Sequence, residues 1–152
     1  MRCWRICSRR YVAKAATGEG AALYPGRWNS RGVRVVYAST SLALAATETF
    51  VHLQPKMQPN DLVSIEGEIP DEVKIERVDL NRLPRDWHDP RETQARRFGD
   101  NWIRGAKTVA LLVPSAAIYG EWNLLLNPAQ ADFRKVKFGK PVPFKFDVRM
   151  FP

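Results

Sequence analysis

The run VALLVP, Val109 to Pro114, is apolar throughout, with no polar residue alternating before proline ends it. A run this short and this uniformly apolar reads as a β-strand buried on both faces. It therefore calls for cover above and below, and the neighbouring periodicities supply a mixed order of helices and strands. In 152 residues, 45% of them hydrophobic, that order fits one globular domain spanning 1–152.

Val33, Val35 and Tyr37 form a β-rich run with Arg34, Val36 and Ala38 between them. The hydroxyls of Ser39, Thr40 and Ser41 then offer helix N-caps. Leu42, Ala45, Ala46, Thr49, Phe50 and Leu53 follow at the spacing of one helix face, and Pro55 is the expected stop. Leu62 to Ile69 and Glu72 to Leu80 are extended stretches separated by Pro70-Asp71, which predicts a hairpin. Ala95, Phe98, Trp102 and Ala106 predict a second helix within 91–106, although Gly99 costs it about 1 kcal/mol. Phe144, Phe146, Val148 and Met150 alternate with polar residues and predict a closing strand.

The net charge of +8 is unevenly spread. Residues 1–59 carry nine Lys/Arg against two acids, Glu19 and Glu48, whereas 60–100 carry seven against eleven. A basic first third points to an anionic partner, either phosphate-bearing or acidic. The arginines form no single stripe and no helix-turn-helix, zinc-finger or RNP-type pattern is present, so a small phosphate ligand is favoured over direct nucleic-acid binding. Two histidines, His52 and His88, and two cysteines, Cys3 and Cys7, are too few and too scattered for a tetrahedral zinc site, so no metal is expected. The cysteines are expected to be reduced core thiols. With no apolar run of membrane-spanning length and no signal-peptide h-region, a cytoplasmic protein without membrane association is expected.

Glu48 is the foremost candidate for chemistry. It projects away from the Leu42/Ala46/Leu53 face, yet Leu44, Val51 and His52 are its neighbours one turn away. In Gly26-Arg27-Trp28-Asn29 the glycine permits a turn, the arginine offers a planar fork for phosphate or carboxylate, and the tryptophan can stack or pack beside it. A turn whose arginine covers Trp28 or pairs with an acid accounts for the same residues. Arg5, between Trp4 and Ile6, is a second basic group on a predicted strand. Tyr37 reaches a strand end eleven residues before Glu48, where it can stack on a ring or lend its hydroxyl. Ser115 follows the buried strand directly, but no histidine pattern marks it as a nucleophile. Asn127 closes the run LLLNP, for which turn formation ahead of Pro128 is a sufficient reason.

Taken together, Trp4-Arg5, GRWNSRG from Gly26, VVYAS ending at Ser39, ATETFVHL from Ala46, VPSA around Ser115 and WNLLLNP up to Pro128 resemble the RES-domain toxins, a family named for its Arg, Glu and Ser. The resemblance implies an α+β domain, a central mixed or antiparallel sheet flanked by helices, related to the mono-ADP-ribosyltransferases. It implies a toxin silenced by an antitoxin with an Xre-type helix-turn-helix domain. The implied substrate is NAD⁺, cleaved at the nicotinamide-ribose bond by phosphorolysis or hydrolysis, or used to ADP-ribosylate a protein; a basic nucleic-acid-binding module is the non-enzymatic alternative. No cofactor is required, and inorganic phosphate is a candidate co-substrate. By motif match Arg27, Glu48 and Ser115 take the three name positions. Tyr37 joins them as catalytic, with Arg5, Arg27, Tyr37, Ser39 and Asn127 expected to bind NAD⁺. Gln130 stands where family members often carry a histidine, which weakens histidine-assisted chemistry, and His52 is expected to be a hydrogen-bonded, partly buried residue.

Overall fold

The computed structural model describes residues 1–53, 58–89, 91 and 93–151. Its frame is one eight-stranded sheet. The strands are β1 (Arg2–Ser8), β2 (Val36–Ser39), β3 (Leu62–Glu68), β4 (Ile75–Arg77), β5 (Ala110–Pro114), β6 (Trp122–Leu126), β7 (Lys137–Phe138) and β8 (Val142–Pro143). They run in the order β4-β5-β6-β2-β1-β3-β7, with β8 also on β3. Among the described residues only β4 and β5 are parallel; the other pairings are antiparallel.

Strand β5 is buried on both faces, as its apolar run requires. Ala110 and Leu112 face a core layer containing Cys3, Val36, Ala38, Leu124 and Leu126. Leu111 and Val113 face a second layer with Trp28, Val35, Ala95, Trp102 and Leu125. Period-two alternation thus sends an uninterrupted hydrophobic run into two cores.

Among the described residues three α-helices accompany the sheet: α1 (Glu19–Leu23), α2 (Leu42–Phe50) and α3 (Gln94–Gly105). Ser41 caps α2, its hydroxyl accepting the Leu44 N–H at 3.1 Å. The helical part ends at Phe50; Pro55, the expected stop, lies outside the described residues. The inward stripe of α2 also differs from the expected one. Leu44 and Ala45 are buried whereas Leu42 is exposed. LALAATETF carries apolar residues around most of its circumference, so spacing alone could not select the buried side. Glu48, three and four residues after Ala45 and Leu44, consequently sits beside the inward stripe.

Two expected elements are corrected. The stretches around Leu62 and Ile75 form no hairpin: β3 pairs with β1, β7 and β8, and β4 pairs in parallel with β5. The Pro70-Asp71 turn redirects the chain without pairing its arms. The closing stretch is no strand either. The Phe144 N–H bonds the Leu62 carbonyl at 3.0 Å, and a 3₁₀ turn occupies Val148–Met150. Phe146 instead packs edge-on against Phe50, Phe144 and Phe151, so aromatic clustering takes the place of a strand ladder. Cys3 is buried and Cys7 half-buried, both as free thiols.

Candidate active-site cleft

Beside α2, the middle of β1 and the ends of β2, β5 and β6 open onto a cleft of about 770 Å³, a volume within the usual range for small-molecule sites. Glu48, Arg5, Arg27, Tyr37 and Ser39 line it, with Asn123 and Arg96.

Glu48 is held from behind. Its Oε1 accepts the Ser115 hydroxyl at 2.6 Å and the Asn123 side-chain amide. Ser39 completes the chain by donating its hydroxyl to Asn123 Oδ1 at 2.7 Å, across the β2–β6 register that sets these two residues opposite each other. Both donors converge on Oε1; among the described residues Oε2 accepts no hydrogen bond. The carboxylate is therefore fixed through one oxygen and can offer the other to a ligand.

Ser115 is buried and does not itself line the cleft. Its oxygen accepts the N–H groups of Ala117 and Ile118 at 3.1 and 2.9 Å, so the hydroxyl hydrogen is left for Glu48. A hydroxyl committed on both its accepting and donating sides is a brace, in keeping with the absence of a nucleophile pattern in the sequence.

The GRWN loop is a second rigid wall. Asn29, fully buried, donates to the carbonyls of Ala21, Ser30 and Val33 and accepts from Gly26 N–H and the Tyr37 hydroxyl. Tyr37 also accepts the Trp28 N–H at 3.0 Å. Its hydroxyl is thus spent on the loop, leaving the ring as its contribution to the cleft, and burial holds the phenol pKa above its ordinary value. A Cβ on Gly26 would come within 2.6 Å of that hydroxyl, which explains the glycine. Trp28 is core, packed against Trp87 and Phe98.

Arg27 lies over the Trp87 ring and its Nη1 donates to the Trp87 and Asp89 carbonyls, each at 3.1 Å. This is neither of the two sequence-based alternatives in pure form: the guanidinium is oriented by backbone carbonyls while remaining on the cleft wall. Arg5 Nη1 donates to the Tyr37 carbonyl at 2.8 Å, its Nε is buried without a partner, and burial lowers its pKa. Arg96, from α3, adds a third guanidinium.

Asn127 is not brought to this site. Buried, it donates to the Ile103 carbonyl at 2.8 Å and accepts the Ala129 N–H at 3.0 Å, joining the end of β6 to α3. Gln130 caps the 3₁₀ turn at Ala131–Lys135. His52 is exposed on the cleft rim, not the partly buried residue expected. Asn123 and Arg96 escaped the sequence reading. A lone amide in the apolar strand WNLLL was the available signal for Asn123; Arg96, one of two adjacent helical arginines, gave none. Among the described residues no cluster of three His, Cys, Asp or Glu side chains could hold a metal, and no helix is long and apolar enough to cross a membrane.

Fold and cleft together define a single-sheet α+β protein whose cleft is lined, among the described residues, by one carboxylate, the hydrogen-bonded Glu48, and by three arginines. The chain belongs to the RES-domain family, whose sequence model matches residues 2–147. It is 40% identical to the Prs ADP-ribosylating toxin of Sphingobium sp. (strain YBL2), over 97% of this chain and 94% of that protein. It is 36% identical to Toxin Res of Yersinia enterocolitica, over 99% of both chains. The fold is similar to a chain in the crystal structure of the M. tuberculosis MbcT-MbcA toxin-antitoxin complex, with a TM-score of 0.69 at 17% identity, covering 95% of this chain and 84% of that one.

Proposed function

We propose that this chain is the toxin of a toxin–antitoxin pair and that it breaks the nicotinamide-ribose bond of NAD⁺. The observation that carries the reading is Glu48, fixed through Oε1 by Ser115 and Asn123 at the wall of an arginine-lined cleft. In the reaction the C1′–N bond breaks, nicotinamide leaves as a neutral molecule with the bonding electron pair, and the ribose acquires oxocarbenium character. A preoriented carboxylate stabilises that positive charge at little reorganisation cost. Since the leaving group is already neutral on departure, no general acid is called for. The arginines would hold the pyrophosphate, the Tyr37 ring would pack against the nicotinamide or ribose, and an acceptor nucleophile would attack C1′ and release its proton to solvent.

The acceptor can be phosphate, water or a protein. The 40% identical relative is named for ADP-ribosylation, which supports the protein-acceptor reading for this chain. The family resemblance supports phosphorolysis or hydrolysis, an Xre-type antitoxin as partner and a cytoplasmic site of action. The test is to incubate the purified chain with NAD⁺, with and without inorganic phosphate, and to follow nicotinamide and ADP-ribose products; labelled NAD⁺ in lysate adds a protein acceptor. Nicotinamide release that is lost in Glu48→Ala, with the fold retained, is expected. Undiminished NAD⁺ under all three conditions, together with salt-sensitive nucleic-acid binding that survives Glu48→Ala, would instead select the binding-module alternative.

A further inference from the structure

Of the three cleft arginines, two are already committed to the protein. Arg27 Nη1 is divided between the Trp87 and Asp89 carbonyls, and Arg5 Nη1 is bonded to the Tyr37 carbonyl. Arg96 differs. It projects from α3 into the cleft wall; its Nε, like that of Arg5, is shielded from solvent without a partner, but among the described residues no other nitrogen of its guanidinium is hydrogen-bonded to the protein either. Among the described residues it forms no ion pair. Asp100, one turn along α3, is occupied by the Ser30 N–H at 2.8 Å and by Arg104 at 3.9 Å. A half-buried guanidinium with an unsatisfied N–H is costly unless a ligand completes it, and its planar fork matches a phosphate better than any neutral group.

Its position also identifies which part of a ligand it meets. Gly99 and Asp100, one turn along α3 from Arg96, both meet the GRWN loop, Gly99 against the Trp28 carbonyl and Asp100 accepting the Ser30 N–H. Arg96 therefore lines the side of the cleft that carries Arg27 and the Tyr37 hydroxyl anchored in that loop. Glu48 and its partners Ser115 and Asn123 stand on other elements, α2 and the ends of β5 and β6. The cleft is therefore polarised, with the Glu48 carboxylate for developing positive charge at one side and two arginines, Arg27 and Arg96, lining the side of the GRWN loop, where Asp100 is already held by the Ser30 N–H and Arg104. We infer that Arg96 is the principal anchor for the pyrophosphate of the dinucleotide, with Arg27 as the fixed, carbonyl-oriented guanidinium beside it. This inference rests on the NAD⁺ reading for the identity of the whole substrate, but the anion site itself does not require turnover.

Binding of ADP-ribose and of adenosine to the full chain, measured by calorimetry or by competition for the weaker ligand, separates the two. Arg96→Met is expected to weaken ADP-ribose by about 10- to 100-fold, the worth of a charge-assisted contact, while adenosine changes by less than about twofold. Arg96→Lys, which keeps the charge and loses the fork, is expected to fall between, and it stands in for the Met variant if that one fails to fold. Equal losses for both ligands, no loss for either, or no binding of ADP-ribose by the parent chain would overturn the assignment. Arg96-dependent ADP-ribose binding in a chain that leaves NAD⁺ intact would remove the proposed reaction and leave the anion site standing.

Discussion

Ser115 donates its hydroxyl to Glu48 Oε1 at 2.6 Å, joining the residue after the buried strand β5 to the last turn of α2, 67 positions earlier in the chain. The two N–H groups that Ser115 accepts fix the direction of its hydrogen, so the carboxylate is aimed by a residue that itself cannot rotate freely. Ser115→Ala removes a hydrogen bond to a charged group, worth about 1.5–3 kcal/mol. Nicotinamide release from NAD⁺ is expected to slow by about 10- to 100-fold. The drop should appear in kcat more than in KM, because Ser115 lies behind the carboxylate and does not line the cleft. A steady-state comparison checks this, and an unchanged kcat would argue against the brace.

Asn123 and Ser115 bond the same oxygen of Glu48. Removing either one releases part of a single constraint, so their effects should not add. Asn123→Ala alone is expected to cost about tenfold in kcat, and the Ser115→Ala/Asn123→Ala double variant to lose less than the product of the two single losses. A double-mutant cycle on initial rates measures the coupling; strict additivity would mean that the two residues act on Glu48 independently.

The residues that line the cleft were legible to the extent that their neighbours made them conspicuous. Glu48 stands out as one of two acids in a basic third of the chain, and Arg27 as a charged fork in a glycine loop. Strand β5 was legible because a continuous apolar run has few other uses. The hairpin was misread because both arms have β-rich sequence and an intervening turn signal, while their true partners, β1 for one and β5 for the other, are set by distant parts of the chain. Alternation in FKFDVRM imitates a strand, but Phe146 packs with Phe50 on α2 and with Phe144. Asn127 serves the local turn that Pro128 suggests, through the Ala129 N–H, but its amide also reaches the Ile103 carbonyl of α3, a contact set by distant parts of the chain. Ser39 and Asn123 become a pair only through register, which no local pattern encodes.

Gly99 is the helix glycine whose cost the sequence left unexplained. A Cβ built there would lie 1.9 Å from the Trp28 carbonyl oxygen, so α3 approaches the GRWN loop more closely than any side chain permits. Gly99→Ala gains about 1 kcal/mol in helix propensity but forces backbone apart, with a cost of about 1–3 kcal/mol or more. A net loss of thermal stability is expected, by several degrees, accompanied by weaker NAD⁺ binding as Arg27 moves with the loop. Gly105→Ala, which would meet nothing within 4 Å, is the control and should leave both properties nearly unchanged. Thermal unfolding of the two variants decides the matter: equal midpoints would show that the contact yields without cost.

Cys3 supplies a pH-dependent contribution to stability. Burial raises its thiol pKa from 9.0 to about 11. Below pH 9 the thiol is protonated in both folded and unfolded chains, and the stabilisation is fully present. Between about 9 and 11 the unfolded thiol loses its proton while the folded one retains it, so stability falls as pH rises and the contribution is gone above the folded value. That pKa rise corresponds to about 2–3 kcal/mol. Cys7 and Tyr37 are shifted in the same direction by burial, so they steepen the loss and do not mask it. Urea midpoints measured under reducing conditions at pH 8, 9 and 10 should decline for the parent chain. In Cys3→Ala, already weakened by the lost packing, the decline over this interval should be shallower. Parallel pH profiles for parent and variant would show that the Cys3 thiol does not contribute to the alkaline loss.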